Sequence, residues 1–273
     1  MKINQVYNIS FKSKNERVRK ADDLVRNVNK NFPRFSTSYA NRTWFIMDDI
    51  SGKYDSAQSI FRNVLIAKFN TFRDKYSEGA ENDKYVKNLF KCMKEDKIGN
   101  CFEGVWLTLG SLFASGYPYS NQFSTAVRIT ATDKRSGEVV FSHIEEYDHT
   151  MILSSMTKDN ANIEDCVVLD PWLNKAMSFD EAKVEYLSLI KDWDMYFRMI
   201  RFKKELIKHF QTDYGIIGKK LPPDFDIRNY EFKPEIVFGR HDYWHKIETF
   251  DEVKEFANFI TQEYPELCMN RVV

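Results

Sequence analysis

The chain has 273 residues, 43% of them hydrophobic, with ten glycines and seven prolines: enough apolar material for a buried core, and not the composition of a disordered chain. Lysine plus arginine and aspartate plus glutamate number 40 each, so no net field draws the protein to nucleic acid or to anionic lipid. No apolar stretch approaches the roughly 20 residues of a membrane-spanning helix, and Met1-Lys2-Ile3-Asn4-Gln5 opens no signal-peptide core, so a cytoplasmic protein, or one exported without a Sec-type signal, is expected.

Four cysteines (Cys92, Cys101, Cys166, Cys268) without CxxC spacing point to free thiols rather than a disulfide scaffold or a zinc site. Residues 1–14 alternate weakly (Ile3, Val6, Ile9, Phe11) and read as an edge strand or an extended arm. Residues 15–31 set Val18, Leu24, Val25 and Val28 among many charges, an amphipathic helix that ends before Pro33. Periodicity does not assign the short apolar run 43–47. The Asp48-Asp49 pair after it reads as a helix cap or turn, since no third ligand stands at a metal-binding spacing. Helical spacing returns in Ile60, Phe61, Val64, Leu65, Phe69 and Phe72, predicting a core helix over 56–76, and in Tyr85, Val86, Leu89, Phe90 and Met93, predicting one over 82–95.

Lys97-Ile98-Gly99-Asn100 breaks that pattern, and Cys101-Phe102-Glu103-Gly104 leads into the apolar run 105–113. If the run is a helix, Cys101 lies in its first turn, where unpaired N–H groups and the helix dipole favour a thiolate. A loop over 116–121 is followed by two β-rich runs, 126–132 and 138–143, around a Gly-containing turn, a hairpin. A second hairpin joins 150–155 to 165–169 through the polar loop 156–164. Helices follow over 179–190 and 192–211, then Leu221-Pro222-Pro223, a strand at 235–238 and a helix over about 250–262.

The second hairpin carries a geometric test. Symmetric pairing about its loop sets His149 opposite Asp170, and opposed Cβ atoms lie about 4.5–5.5 Å apart, close enough for a carboxylate to orient an imidazole. Cys101, His149 and Asp170 then have the parts of a thiol acyl-transfer site: nucleophile, general base and acid, and orienting group. The Cys101 backbone N–H, with Asn100 nearby, is the natural oxyanion donor set, and Gly99 permits the sharp approach. His143, Glu145, Tyr147 and His149 share a strand face by period two, but no thiol or third imidazole completes a metal site. His241 and His245 lack the glutamate of an HExxH helix and read as aromatic packing; Lys203-Lys204 and Lys219-Lys220 read as solvated faces.

Gly99-Asn100-Cys101-Phe102-Glu103, Asp148-His149 before a strand and Val168-Leu169-Asp170-Pro171-Trp172 after one resemble the papain-like thiol enzymes of bacterial toxins and effectors. These are cysteine proteases and protein-glutamine deamidases, similar in layout to transglutaminase-type domains, and the resemblance covers residues 85–180. It implies an α+β fold with a papain-like core, in which the nucleophile helix packs on an antiparallel sheet carrying His149 and Asp170, with helical additions at both ends. It implies supporting roles for Glu103 and Trp172. Papain has a glutamine six residues before its cysteine; here that position is Glu95, so the resemblance supplies no second oxyanion donor. The division expected is a helical extension over 1–80, a catalytic core over 81–190 and an α+β addition packed on the core over 191–273. The expected activity is hydrolysis of a peptide bond or glutamine side-chain amide in a protein or peptide substrate through a thioester, with no cofactor and no metal. Transfer of the acyl group by a transglutaminase or acyltransferase, and a non-catalytic interaction module, are the alternatives.

Overall fold

The computed structural model describes residues 3–33, 67–68, 70–75, 82–157, 162–193, 195–213, 219–240 and 250–268. The run 43–47, Asp48-Asp49, His241, His245 and most of the helix expected over 56–76 lie outside the described residues; the described stretch 70–75 is helical and buries Phe72. The fold is α+β, with helices α1 (Ile3–Asn31), α2 (Asn82–Asp96) and α3 (Cys101–Ala114) ahead of the long strands β1 (Ser120–Asp133) and β2 (Val139–Ser154). Then come β3 (Val167–Asp170), β4 (Lys175–Ser178), α4 (Phe179–Trp193), α5 (Met195–Phe210), the short pair β5 (Thr212–Asp213) and β6 (Lys219–Lys220), β7 (Tyr230–Arg240) and α6 (Phe250–Glu263). The main sheet has the order β4-β3-β2-β1-β7. No helix among the described residues is long and apolar enough to cross a membrane.

Three local expectations are corrected. Residues 3–14 are helical, because no glycine or proline interrupts the chain before Pro33 and Ile3, Tyr7 and Phe11 keep a four-residue spacing that extends α1. The strand ending the first hairpin and the strand opening the second are one continuous β2, so His149 lies within a strand and not at its start. After Asp170 the chain forms β4 before it turns helical; four residues, Lys175-Ala176-Met177-Ser178, are too short a run for periodicity to reveal.

The chain divides into two compact units, the first made of Met1–Phe123, His149–Ala182 and Arg240–Val273, the second of Ser124–Asp148 and Lys183–Gly239. Segments from both terminal regions of the chain belong to the same unit as the central helix α3.

Within the first unit α3 is apolar on every side, and all its residues from Glu103 to Ala114 are buried. Ile152, Val167 and Leu169 of the sheet belong to the same buried cluster as its side chains. On one flank, α6 comes so close that a Cβ on Gly110 would stand 2.8 Å from Cγ1 of Ile260 and 3.1 Å from Cζ of Phe256. The Ser111 hydroxyl donates to the Leu267 carbonyl just beyond α6. Aromatic rings fill the remaining space, with Phe90 edge-on to Phe256 at 5.8 Å and Phe32 5.5 Å from Tyr264. Gly110→Val is expected to lower unfolding stability by about 1–3 kcal/mol through overpacking, read as a shift in urea midpoint. An unchanged midpoint would mean that α6 does not sit against this face.

The underside of α1 is apolar, with Ala21, Leu24, Val25 and Val28 fully buried. Its polar residues brace the β3-β4 hairpin: Asn29 Nδ2 donates to the Pro171 carbonyl at 2.9 Å and to Asn174 Oδ1 at 2.7 Å, and the Ala176 N–H donates to Asp22 Oδ1 at 3.0 Å. A helix thus serves the backbone of edge strand β4.

In the second unit, Phe202 of α5 packs on Phe141 of β2 at 5.4 Å and edge-on to Phe232 of β7 at 5.8 Å. Glu145 accepts hydrogen bonds from Arg198 and Arg201 at 3.1–3.2 Å, and His143 lies parallel to Phe141. The strand face that carries His143 and Glu145 is therefore a packing and ion-pair face, and no cluster of metal-ligating side chains occurs among the described residues.

Candidate active site

The N-terminus of α3 is built by its own sequence. Asn100 is the N-cap, with extended backbone, and Glu103 at the third helical position closes a capping box, accepting the Asn100 N–H on Oε2 at 2.8 Å. The other carboxylate oxygen accepts from Nε of Arg73 at 3.2 Å, so the fully buried Glu103 charge is paired. The first hydrogen bond inside the helix runs from the Gly104 N–H to the Asn100 carbonyl at 3.0 Å. Cys101 is therefore the first helical residue, at the end where N–H groups have no acceptor within the helix, and it keeps partial access to solvent.

His149 and Asp170 meet, but not in the expected register. Ile152 pairs with Leu169, Leu153 with Val168 and Ser154 with Val167. Continued, that ladder sets Asp170 opposite Met151 rather than His149. The loop, 155–166, is centred later than the symmetric one expected, because β2 ends at Ser154, whose hydroxyl accepts the Met156 N–H, and a 3-10 turn at Ile163–Asp165 leads into β3. A slip of two residues preserves the face. His149 and Asp170 become diagonal neighbours, and Nε2–H of the imidazole donates to Asp170 Oδ2 at 2.7 Å, with both side chains buried.

Asp170 is held from its other side as well. Its Oδ1 accepts the backbone N–H groups of Trp172 at 2.9 Å and Leu173 at 3.0 Å, in a turn whose last residue, Asn174, takes the left-handed conformation at φ 57°. The same turn places the Trp172 ring 5.0 Å from the imidazole, tilted against it. Trp172 thus stands beside His149, and Glu103 is part of the cap of the helix that Cys101 opens.

With Nε2 committed to Asp170, the other ring nitrogen of His149 is the one that faces the thiol, to which it is hydrogen-bonded. Burial by itself would raise the Cys101 pKa, yet the hydrogen bond and charge of His149, helped by the Thr150 N–H and hydroxyl, hold it below the usual thiol value. Burial likewise opposes charge on His149, and the Asp170 carboxylate together with Cys101 pushes it up to about 10. Around neutral pH the pair is poised toward thiolate and imidazolium.

Thr150 has no counterpart among the expected site residues. A regular strand turns residues 149 and 150 to opposite faces, so spacing gives no hint that both reach one sulfur. Between the Ser155–Tyr119 and Glu138–Asp133 hydrogen bonds, β2 has sixteen residues (139–154) and β1 thirteen (120–132). Bulged residues in β2, between Glu138 and Ser154, account for the excess. The Thr150 hydroxyl is buried and has no full hydrogen bond of its own. Asn100 is engaged as the helix cap, and Glu95 is exposed at the end of α2, 3.4 Å from Lys75.

A thiol at a helix N-terminus and an imidazole held by a buried carboxylate are the parts that acyl transfer through sulfur would use. No family model, curated protein or solved structure matches the chain.

Proposed function

We propose that the chain is a cysteine-dependent amide hydrolase with a papain-like core, a protease or protein-glutamine deamidase of effector type. The observation that carries the reading is the buried 2.7 Å contact between His149 and Asp170, with Cys101 hydrogen-bonded to the same imidazole at the start of α3. Such a contact carries a desolvation cost, and buried pairs of this kind concentrate at functional sites. In the reaction the Cys101 thiolate attacks the amide carbonyl, and the oxygen gathers charge against the N–H groups opening α3. His149 gives its proton to the departing amine or ammonia, leaving a thioester. The neutral imidazole then takes a proton from water, which attacks the thioester; the acid departs and the thiolate with its imidazolium returns. Cys101 is the nucleophile, His149 the base and acid, and Asp170 the orienting group.

A substrate-independent test uses 4-nitrophenyl acetate. A burst of nitrophenol with the acetyl group on Cys101, located by peptide mass after acid quench and absent in Cys101→Ala, is the expected result. Release unaffected by that substitution would overturn the proposal. Adding a labelled primary amine then separates hydrolysis from transglutamination, which shares the thioester and diverts it to the amine.

A further inference from the structure

A tetrahedral intermediate of acyl transfer is stabilised by hydrogen-bond donors aimed at the oxygen that becomes negative. On the reading of Cys101 as nucleophile, the open N-terminus of α3 supplies one donor. The second is not at the position where papain carries it, since Glu95 is an exposed acceptor paired with Lys75, and Asn100 is engaged in capping.

The same compact unit holds an uncommitted amide. Nε2 of Gln122, in β1, is buried and has no hydrogen-bond partner. A buried N–H donor without an acceptor is costly, and such groups persist where something transient uses them. Its position follows from the ladder. The Ser155 N–H donates to the Tyr119 carbonyl at 3.1 Å, and the Ser120 and Ser154 hydroxyls touch at 2.8 Å, so residues 120 and 154 are opposed. Here β2 also pairs regularly with β3. Two residues further on, Gln122 stands opposite Ile152 and shares a face with Thr150, its diagonal neighbour. Diagonal neighbours lie about 7–8 Å apart, within reach of a long side chain, and the Thr150 hydroxyl approaches the Cys101 sulfur.

We propose that the Gln122 side-chain amide is the second oxyanion donor of the Cys101 site. As the sulfur–carbon bond forms, the carbonyl π pair moves onto oxygen, which accepts from the Cys101 N–H and from Nε2–H of Gln122. As the intermediate collapses, the pair returns and the carbon–nitrogen bond breaks, with the proton coming from His149. Two other orphaned donors fit less well. The Thr150 hydroxyl already faces the sulfur in the resting state, and Nε1 of Trp106 belongs to a ring set between Phe102 and Phe256, further along α3.

The test compares two reactions of Cys101 in the full chain, in Gln122→Leu and in Gln122→Ala. Alkylation by iodoacetamide is a displacement at a saturated carbon and has no oxyanion; acylation by 4-nitrophenyl acetate has one. The expected result is acylation slowed by roughly 10²–10³-fold with alkylation unchanged, and no loss of thermal stability in the leucine variant, because the replaced group has no partner to lose. Acylation at the parent rate in both variants, or equal loss of acylation and alkylation in both, overturns the role of Gln122. A parent chain whose Cys101 neither alkylates fast nor acylates overturns the thiol-enzyme reading itself, and this proposal with it.

Discussion

His149→Ala is expected to reverse the sign of the Cys101 pKa shift. With the imidazolium gone, burial is the largest remaining influence on the thiol and pushes its pKa above the usual value instead of below it. Alkylation of Cys101 by iodoacetamide, followed by peptide mass across pH, then has its midpoint displaced upward and is slow at neutral pH. The parent chain shows a plateau that begins below the ordinary thiol range and extends until His149 loses its proton, at about 10. Acylation loses roughly 10²–10⁴-fold with the proton carrier. The same shift has a stability counterpart. Folding raises the imidazole pKa, so its contribution is fully present below about 6.5 and is lost as pH rises through about 10. Urea unfolding of the parent should weaken across that interval more than unfolding of His149→Ala. An alkylation profile unaffected by the substitution would reduce Cys101 to a packing residue.

The second large effect belongs to Asp170, and two substitutions separate its two duties. In Asp170→Asn the amide oxygen still accepts the Trp172 and Leu173 N–H groups. The amide nitrogen then faces Nε2 of His149 and donates to it, which forces the neutral ring to carry its proton on the nitrogen facing Cys101. A ring in that tautomer has no lone pair for the thiol proton. Acylation is expected to fall by about 10³–10⁴-fold, with the fold retained and the imidazole titrating far below its parent value. In Asp170→Ala both duties end: the buried imidazole loses its partner and two turn N–H groups lose their acceptor. Breaking a buried pair in this way costs about 3–5 kcal/mol, measured by urea unfolding. Parent-like acylation in the asparagine variant would remove Asp170 from the mechanism.

Helical spacing foretold α2, α3 and α6 to within a few residues, because each has a long periodic or all-apolar run and a clear breaker at its start or end. The meeting of His149 with Asp170 was legible for a more particular reason. A hairpin slip of two residues moves a pair from opposed to diagonal without changing its face, so a wrong register still brought the right residues together. The other parts left no trace in local pattern. Thr150 reaches the sulfur from the position next to His149, which a period of two assigns to the other face, and Gln122 is set by pairing between strands roughly thirty residues apart, as the contact between Ser120 and Ser154 shows. The braces on the Asp170 turn come from Asp22 and Asn29, more than a hundred residues away, where they look like ordinary polar positions of a surface helix.

The hydrogen bond from Ser111 to Leu267 spans 156 residues of chain. During synthesis α3 emerges long before α6 and the turn that follows it, and until they arrive a helix apolar on all sides lacks one of its walls. Loops of that length close slowly, and native structure that depends on them forms late. On the thiol-enzyme reading, Cys101 is therefore expected to be unreactive when it leaves the ribosome. In a refolding experiment its fast alkylation should appear in step with burial of the Phe256 and Tyr264 rings rather than with the early gain of helix.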